Sequence, residues 1–268
     1  MPEVQLPPTL TASRDGDVGI LRLSRAAKRN ALDDQTVIGL RRYFMEVPEG
    51  VGAVVLHGEG EHFSAGLDLS EVYLSEASGP IDIHRGVLHS QMWHKAFQEI
   101  QFGRVPVVSV LHGAVVGGGL ELAASTHIRV AERSAYYGLP EGQRGIFLGG
   151  GGSVRIPRLI GVHRVQDMML TGRTLSAEEG HAAGISQYLV ADGTGLDKGI
   201  ELARRIAKNA AMTNFAVMHA LPRIAESDPA TGFFMESLMA AIAETTPEAQ
   251  QRLKDFLEKR AAKVLRGD

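Results

Sequence analysis

VPVVSVLHGAVVGGGLELAAS, residues 105–125, carries no formal charge except one carboxylate, Glu121, set just behind three consecutive glycines. Its first half is β-branched and apolar and predicts a buried strand. Its second half, from Gly117, Gly118 and Gly119 onward, predicts a buried helix. Backbone amides at such a junction lack intrahelical acceptors, and glycine lets a ligand approach them closely, so the turn is a candidate oxyanion or phosphate site. Glu121 would occupy the first turn of that helix. A carboxylate there gains only about 0.3–1 kcal/mol from the helix dipole. Burial among Leu120, Leu122, Ala123 and Ala124 costs far more unless the acid is paired or protonated, which favours a chemical role for it.

The same alternation extends outward. VGILRLS, GAVVLHG and HIRVAE read as strands, and DDQTVIGLRRYFMEV, LHSQMWHKAFQEIQ and VHRVQDMMLTG as helices, which predicts an α/β core with a largely buried sheet. From about Thr194 the strand signals stop, and GLDKGIELARRIAKNAAM, NFAVMHALPRIAE, FFMESLMAAIAE and PEAQQRLKDFLEKRAAKVL are helical. The expected organisation is therefore a core over residues 1–193 and a helical region over 194–268. Phe233, Phe234, Met235, Leu238 and Met239 exceed what short helices need among themselves, so they should pack on the core or on another subunit.

Composition narrows the function classes. With 268 residues, 44% of them apolar, the chain can build a large core. A net charge of −3 argues against a dedicated nucleic-acid binder. The absence of cysteine excludes disulfides, thiolate nucleophiles and Cys-ligated metals. The start lacks the basic and apolar regions of a secretory signal, and the opening stretch, interrupted by His112, Glu121 and four glycines, is a poor membrane span. A soluble cytoplasmic protein acting on a small molecule is the expectation, with no membrane or nucleic-acid partner.

Two more glycine clusters stand out, FSAGLDL at 63–69 and GIFLGGGGSVR at 145–155. No Lys-Ser or Lys-Thr closes any cluster as a P-loop would, and the spacing from Gly113 to Gly117–Gly119 fits GxGxxG poorly. Tight turns and close helix–strand packing remain the plain alternative for any one cluster. A second acid, Glu141 in AYYGLPEGQRG, follows Pro140 at a strand end; alone it could simply begin a turn. His84, His89 and His94 recur at five-residue spacing, which splays them over different helix faces and argues against a metal site.

GEGEHFSAGLDLSE, HGAVVGGGLELAAS, YGLPEGQRGIFLGGGGSVRIPRLIG and GRTLSAEEGHAAGISQYLV resemble, in order and spacing, the signature segments of the enoyl-CoA hydratase/isomerase (crotonase) superfamily. LSRAAKRNALDDQ resembles that family's NAL segment, which lines the coenzyme A pocket. Together the segments span about residues 20–190. The resemblance implies a spiral of ββα units, a C-terminal helical oligomerisation region, and homotrimers often paired into hexamers. It also implies an oxyanion hole built from the amides of Leu67 and Gly118, with Glu121 and Glu141 as the two acids of a hydratase adding water to a trans-2-enoyl-CoA. Ala65, Gly66, Asp68, Leu69, Gly117, Lys28 and Arg29 would contact the acyl-CoA, and Val72, Tyr73 and Trp93 would line the acyl pocket. Lys259, Arg260 and Lys263 could add charge from a neighbouring subunit, although solvated surface is the plainer reading for each cation. No cofactor is implied, since coenzyme A enters as part of the substrate.

The same scaffold serves isomerases, lyases and non-enzymatic acyl-CoA binders. Isomerases of the family usually keep one acid, and a pure binder has no need of two buried ones. Hydroxycinnamoyl-CoA hydratase-lyases generally have serine where Glu121 stands. One departure from the hydratase pattern is PEGQRGIFLGGGG, with Gly142 after the glutamate and Leu148 where a proline is usual, so the loop behind Glu141 is expected to be looser or differently shaped.

Overall fold

The computed structural model describes residues 4–70 and 82–260, in two compact units divided after Ala207. The first unit opens with β1 (Leu10–Asp15) and β2 (Val18–Leu23), an antiparallel hairpin, followed by α1 (Asp34–Met45). α1 starts where the Asp33 carboxylate accepts the Thr36 amide, a side-chain N-cap. β3 (Ala53–Gly58), α2 (Ile83–Gln101), β4 (Val107–Leu111), β5 (Ala114–Val116), α3 (Gly118–Ala124), β6 (Ile128–Glu132) and β7 (Tyr136–Gly138) follow. The unit is completed by α4 (Gly152–Ile160), α5 (Val162–Thr171), β8 (Leu175–Ser176), α6 (Ala177–Ala183), β9 (Tyr188–Val190) and α7 (Gly195–Ala207).

Among the described residues these strands form two sheets, ordered β1-β2-β3-β4-β6-β9 and β5-β7-β8. From β2 to β9 every pairing in the larger sheet is parallel. The chain lays a strand in the larger sheet, crosses to the smaller one, and then enters a helix: β4, β5, α3, and again β6, β7, α4. β3 begins the same path, because Ser64 bridges Val115 of β5. This is the ββα spiral that the resemblance implies.

The larger sheet is buried on both faces, as parallel sheets generally are. Val54, Leu56, Val107 and Leu111 point into the main core with α1 and α2, while Val55, Val108, Val110 and Val130 meet Leu202 and Ala203 of α7. α7 lies close because it offers glycine to the sheet: a methyl at Gly199 would fall 2.7 Å from a Val110 methyl. That packing puts α7 in the first unit, although its sequence reads as part of the helical tail. β1 is invisible to apolar patterning because it is an edge strand with only Leu10 buried.

The second unit contains α8 (Ala211–Phe215), a π-helical turn at Ala216–Ala220, α9 (Leu221–Glu226), α10 (Pro229–Glu244) and α11 (Pro247–Leu257). Asp228 and Thr246 cap α10 and α11. Phe233, Phe234 and Leu238 of α10 are exposed on the isolated chain. Among the described residues no helix is long and apolar enough to cross a membrane.

Candidate active site

Two loops, one after β3 of the larger sheet and one after β5 of the smaller, meet. The one after β3 carries Ser64 to Asp68, and its position is fixed by main-chain bonds to two other segments. The Ser64 amide donates to the Ala114 carbonyl and the Ser64 carbonyl accepts the Val116 amide, while the Ala65 amide donates to the Arg29 carbonyl. The Gly66 carbonyl accepts from Leu32, and the Asp68 amide donates back to it. That last pair uses the groups flanking Leu67, so the Leu67 amide is left out of the bridge. Asn30 supports the loop from below, donating to the carbonyls of Glu59 and His62 at 2.9 and 2.7 Å.

The second loop is Gly117, which turns β5 into α3. Gly118 begins the helix, and its amide has no carbonyl partner among the described residues. The two amides are close neighbours. A methyl on Gly66, whose φ is +89°, would lie 2.9 Å from the Gly118 nitrogen, and one on Gly118 would lie 3.2 Å from the Leu67 nitrogen. Only glycines let the loops approach this far. Gly117 closes the other side, since a methyl there would stand 2.8 Å from Glu141 Oε1.

Both acids are buried and their surroundings differ. Glu121 Oε1 accepts the amides of Gly150 and Gly152, each at 2.8 Å. Burial pushes its carboxyl up and outweighs the two amides and the nearby Arg155 charge, which pull the other way. Glu141 Oε2 has no hydrogen-bond partner among the described residues. Burial, with the Glu121 charge adding to it, pushes Glu141 up to about 7. Both carboxyls are thus raised by burial, but only Glu121 receives donors that favour its charged form, a difference of the kind that divides base from acid.

Trp93 of α2 packs edge-on against this centre, with its ring 2.9 Å from a methyl built on Gly118 and 3.1 Å from one on Gly150. Val72 and Tyr73, expected in the acyl pocket, and Lys263 lie outside the described residues. Lys28 and Arg29 are exposed on the segment that braces the Leu67 loop. Lys28 Nζ stands 3.9 Å from Asp68, which also forms an ion pair with Arg25 at 2.7 Å. Asp68 is buried, which raises its carboxyl, but Ser70 and Arg25 outweigh this and hold it below the usual range. Ala65 and Leu69 are partly exposed beside it. Lys259 and Arg260 follow α11 in the second unit, where Arg260 bonds Asp255. His89 pairs with Asp34 and His94 with Ser90, so the spaced histidines go separate ways. No cluster of three metal-binding side chains occurs among the described residues.

Of the two expectations for the loop behind Glu141, looser or differently shaped, looseness does not hold at Gly142. A methyl on Gly142 would sit 2.3 Å from the Met169 carbonyl of α5, so the backbone is seated directly on that helix. Leu148, at the usual proline position, is buried. Two further contributors were not assigned from sequence, the amides of Gly150 and Gly152; the GGGG run was the available signal.

Comparison with known proteins places the chain in a family. The enoyl-CoA hydratase/isomerase family model matches residues 13–264. Among solved structures, the "putative enoyl-CoA hydratase" from Rhodopseudomonas palustris CGA009 is 54% identical, with a TM-score of 0.89 over 95% of this chain and 97% of that one. The enoyl-CoA hydratase from Bacillus anthracis is 28% identical with a TM-score of 0.85, over 94% and 97%. The short-chain-enoyl-CoA hydratase of Clostridium acetobutylicum is 28% identical over 92% of this chain and 94% of its own length.

Proposed function

Because the chain belongs to the enoyl-CoA hydratase/isomerase family, we propose that it adds water across the double bond of a trans-2-enoyl-CoA to give a 3-hydroxyacyl-CoA. The observation that carries this reading is the contrast between Glu121, with two amide donors, and Glu141, with an unpartnered buried oxygen, beside two uncommitted amides. In the proposed complex the thioester oxygen accepts from the Leu67 and Gly118 amides. Glu121 takes a proton from a water whose oxygen bonds Cβ. Charge then builds on the thioester oxygen as an enolate, which fixed amides stabilise without reorganising; one such donor is typically worth about 2.7–4 kcal/mol. Glu141 delivers its proton to Cα, and the proton held by Glu121 restores the pair. The overall change is one water added, with no redox step and no metal required by the scheme.

Lys28 and Arg29 are proposed to meet the coenzyme A phosphates, and Trp93 to form one wall beside the acyl group. The exposed α10 side chains Phe233, Phe234 and Leu238 support a homotrimer or a pair of trimers as the assembly.

A panel of short-chain, long-chain and aryl 2-enoyl-CoA thioesters tests the reaction, read as loss of the conjugated enoyl-thioester absorbance with product masses in 18O-water. The expected product gains one solvent oxygen. Glu121→Gln and Glu141→Gln should each lower turnover by about 10²–10⁴-fold. Movement of the double bond without oxygen uptake would assign an isomerase instead, and full turnover by both variants would end the hydratase reading.

A further inference from the structure

The four glycines 149–152, two of which hold Glu121, are gripped from α2. Ser90 Oγ donates to the Gly149 carbonyl at 2.5 Å, and the His94 ring lies 3.6 Å from a methyl built on Gly151. At the far end of α2, Gln101 Oε1 accepts Arg155 Nε at 2.7 Å. Arg155 Nη1 turns back to the Gly150 carbonyl at 3.3 Å, so Gly150 is engaged at its carbonyl by Arg155 and at its amide by Glu121. Arg155 is half-buried and forms no ion pair among the described residues. A cation taken out of water without a direct counterion calls for an explanation. Its field falls on the Glu121 carboxyl, which in turn favours the charged guanidinium.

We propose that Arg155, braced by Gln101, is a positioning residue that keeps the Gly150 amide on Glu121 and favours the charged form of Glu121 as the base of the pair. This rests on the reading of Glu121 as the group that activates water. The charged or titratable groups around Glu121 are Arg155 from α4 and Glu141 from the segment after β7, with His94 of α2 against the same glycine turn. Trp93 and Phe97, also from α2, contribute no charge. Arg155 thus adds a cation to the two amides that work against burial, and its loss leaves the amides to do so alone.

The direct test is a 13C NMR titration of the glutamate side-chain carboxyls, with the Glu121 resonance assigned by its absence in Glu121→Gln. In Arg155→Met the Glu121 midpoint should rise by about one pH unit or more. Gln101→Met should shift it the same way by less, and Arg155→Lys, which keeps the charge, should stay near the wild type. In turnover, the acid limb of the kcat/KM profile should move with the NMR midpoint while KM changes little, which a merely structural role would not produce. An unchanged midpoint in Arg155→Met overturns the proposal. Should that variant not fold, Gln101→Met decides it, a raised midpoint supporting and an unchanged one refuting. A wild-type protein that hydrates none of the thioesters would instead refute the hydratase reading, and the titration would still judge Arg155.

Discussion

Glu121 receives two amides at 2.8 Å while Glu141 keeps a buried oxygen that receives none. A carboxylate is stabilised by donors and a carboxylic acid is favoured by their absence, so hydrogen bonding favours the charged form at Glu121 over that at Glu141, while burial raises both carboxyls. The pH dependence follows from the direction of each shift. Water activation needs Glu121 ionised, so activity falls on the acid side. Delivery of a proton to Cα needs Glu141 protonated, so kcat/KM should fall as pH rises through about 7. Since the two acids interact, both limbs belong to the pair. A kcat/KM profile measured from pH 5 to 9 checks this: the basic limb should disappear from the residual activity of Glu141→Gln. A profile flat through pH 8 in the wild type would remove Glu141 as the proton donor.

At the scale of elements, the site depends on how closely backbone segments can be laid together. Gly142→Ala places a methyl 2.3 Å from the Met169 carbonyl, so either α5 or the turn carrying Glu141 must move. Overpacking of this kind usually costs about 1–3 kcal/mol. The variant should melt lower and lose kcat more than KM, by thermal denaturation and steady-state assay; unaltered values for both would mean that the turn adjusts freely. Contacts like this also mark the limit of what the sequence reveals. Glu121 and the glycine clusters stand out because an acid in an apolar run and glycine at a strand–helix junction each contradict their surroundings, whereas Glu141, after Pro140 at a strand end, stands out only through the family resemblance. The seat of Gly142 on α5 and the two amides on Glu121 are not legible, because both join residues that no local pattern relates. Likewise VPVVSVLHG reads as one strand leading to the glycines, yet Ala114–Val116 beyond it forms a second strand, β5, in the other sheet, since apolar content alone does not show where a chain changes layer.

Stability belongs to the whole chain, and the two acids draw on it. Between about pH 4.5 and 7 the folded protein holds a proton on Glu141 that the unfolded chain releases. The contribution of Glu141 is therefore present in full below about 4.5, is lost as pH rises to about 7, and stays lost above it. A neutral isostere escapes that loss. Glu141→Gln should unfold at higher denaturant than the wild type at pH 8, by up to about 3 kcal/mol, and show little gain at pH 4. Equal stability at both values would mean that the carboxylate is better solvated than its burial indicates. The two uncommitted amides, by contrast, are main-chain groups held by sheet register and glycine contacts, and no ordinary side-chain replacement deletes them. A duplicated gene that loses either glutamate would still encode a cradle for thioester charge. Divergence from such a copy could start from the proposed main-chain cradle and need only recruit a new proton carrier to run a different reaction.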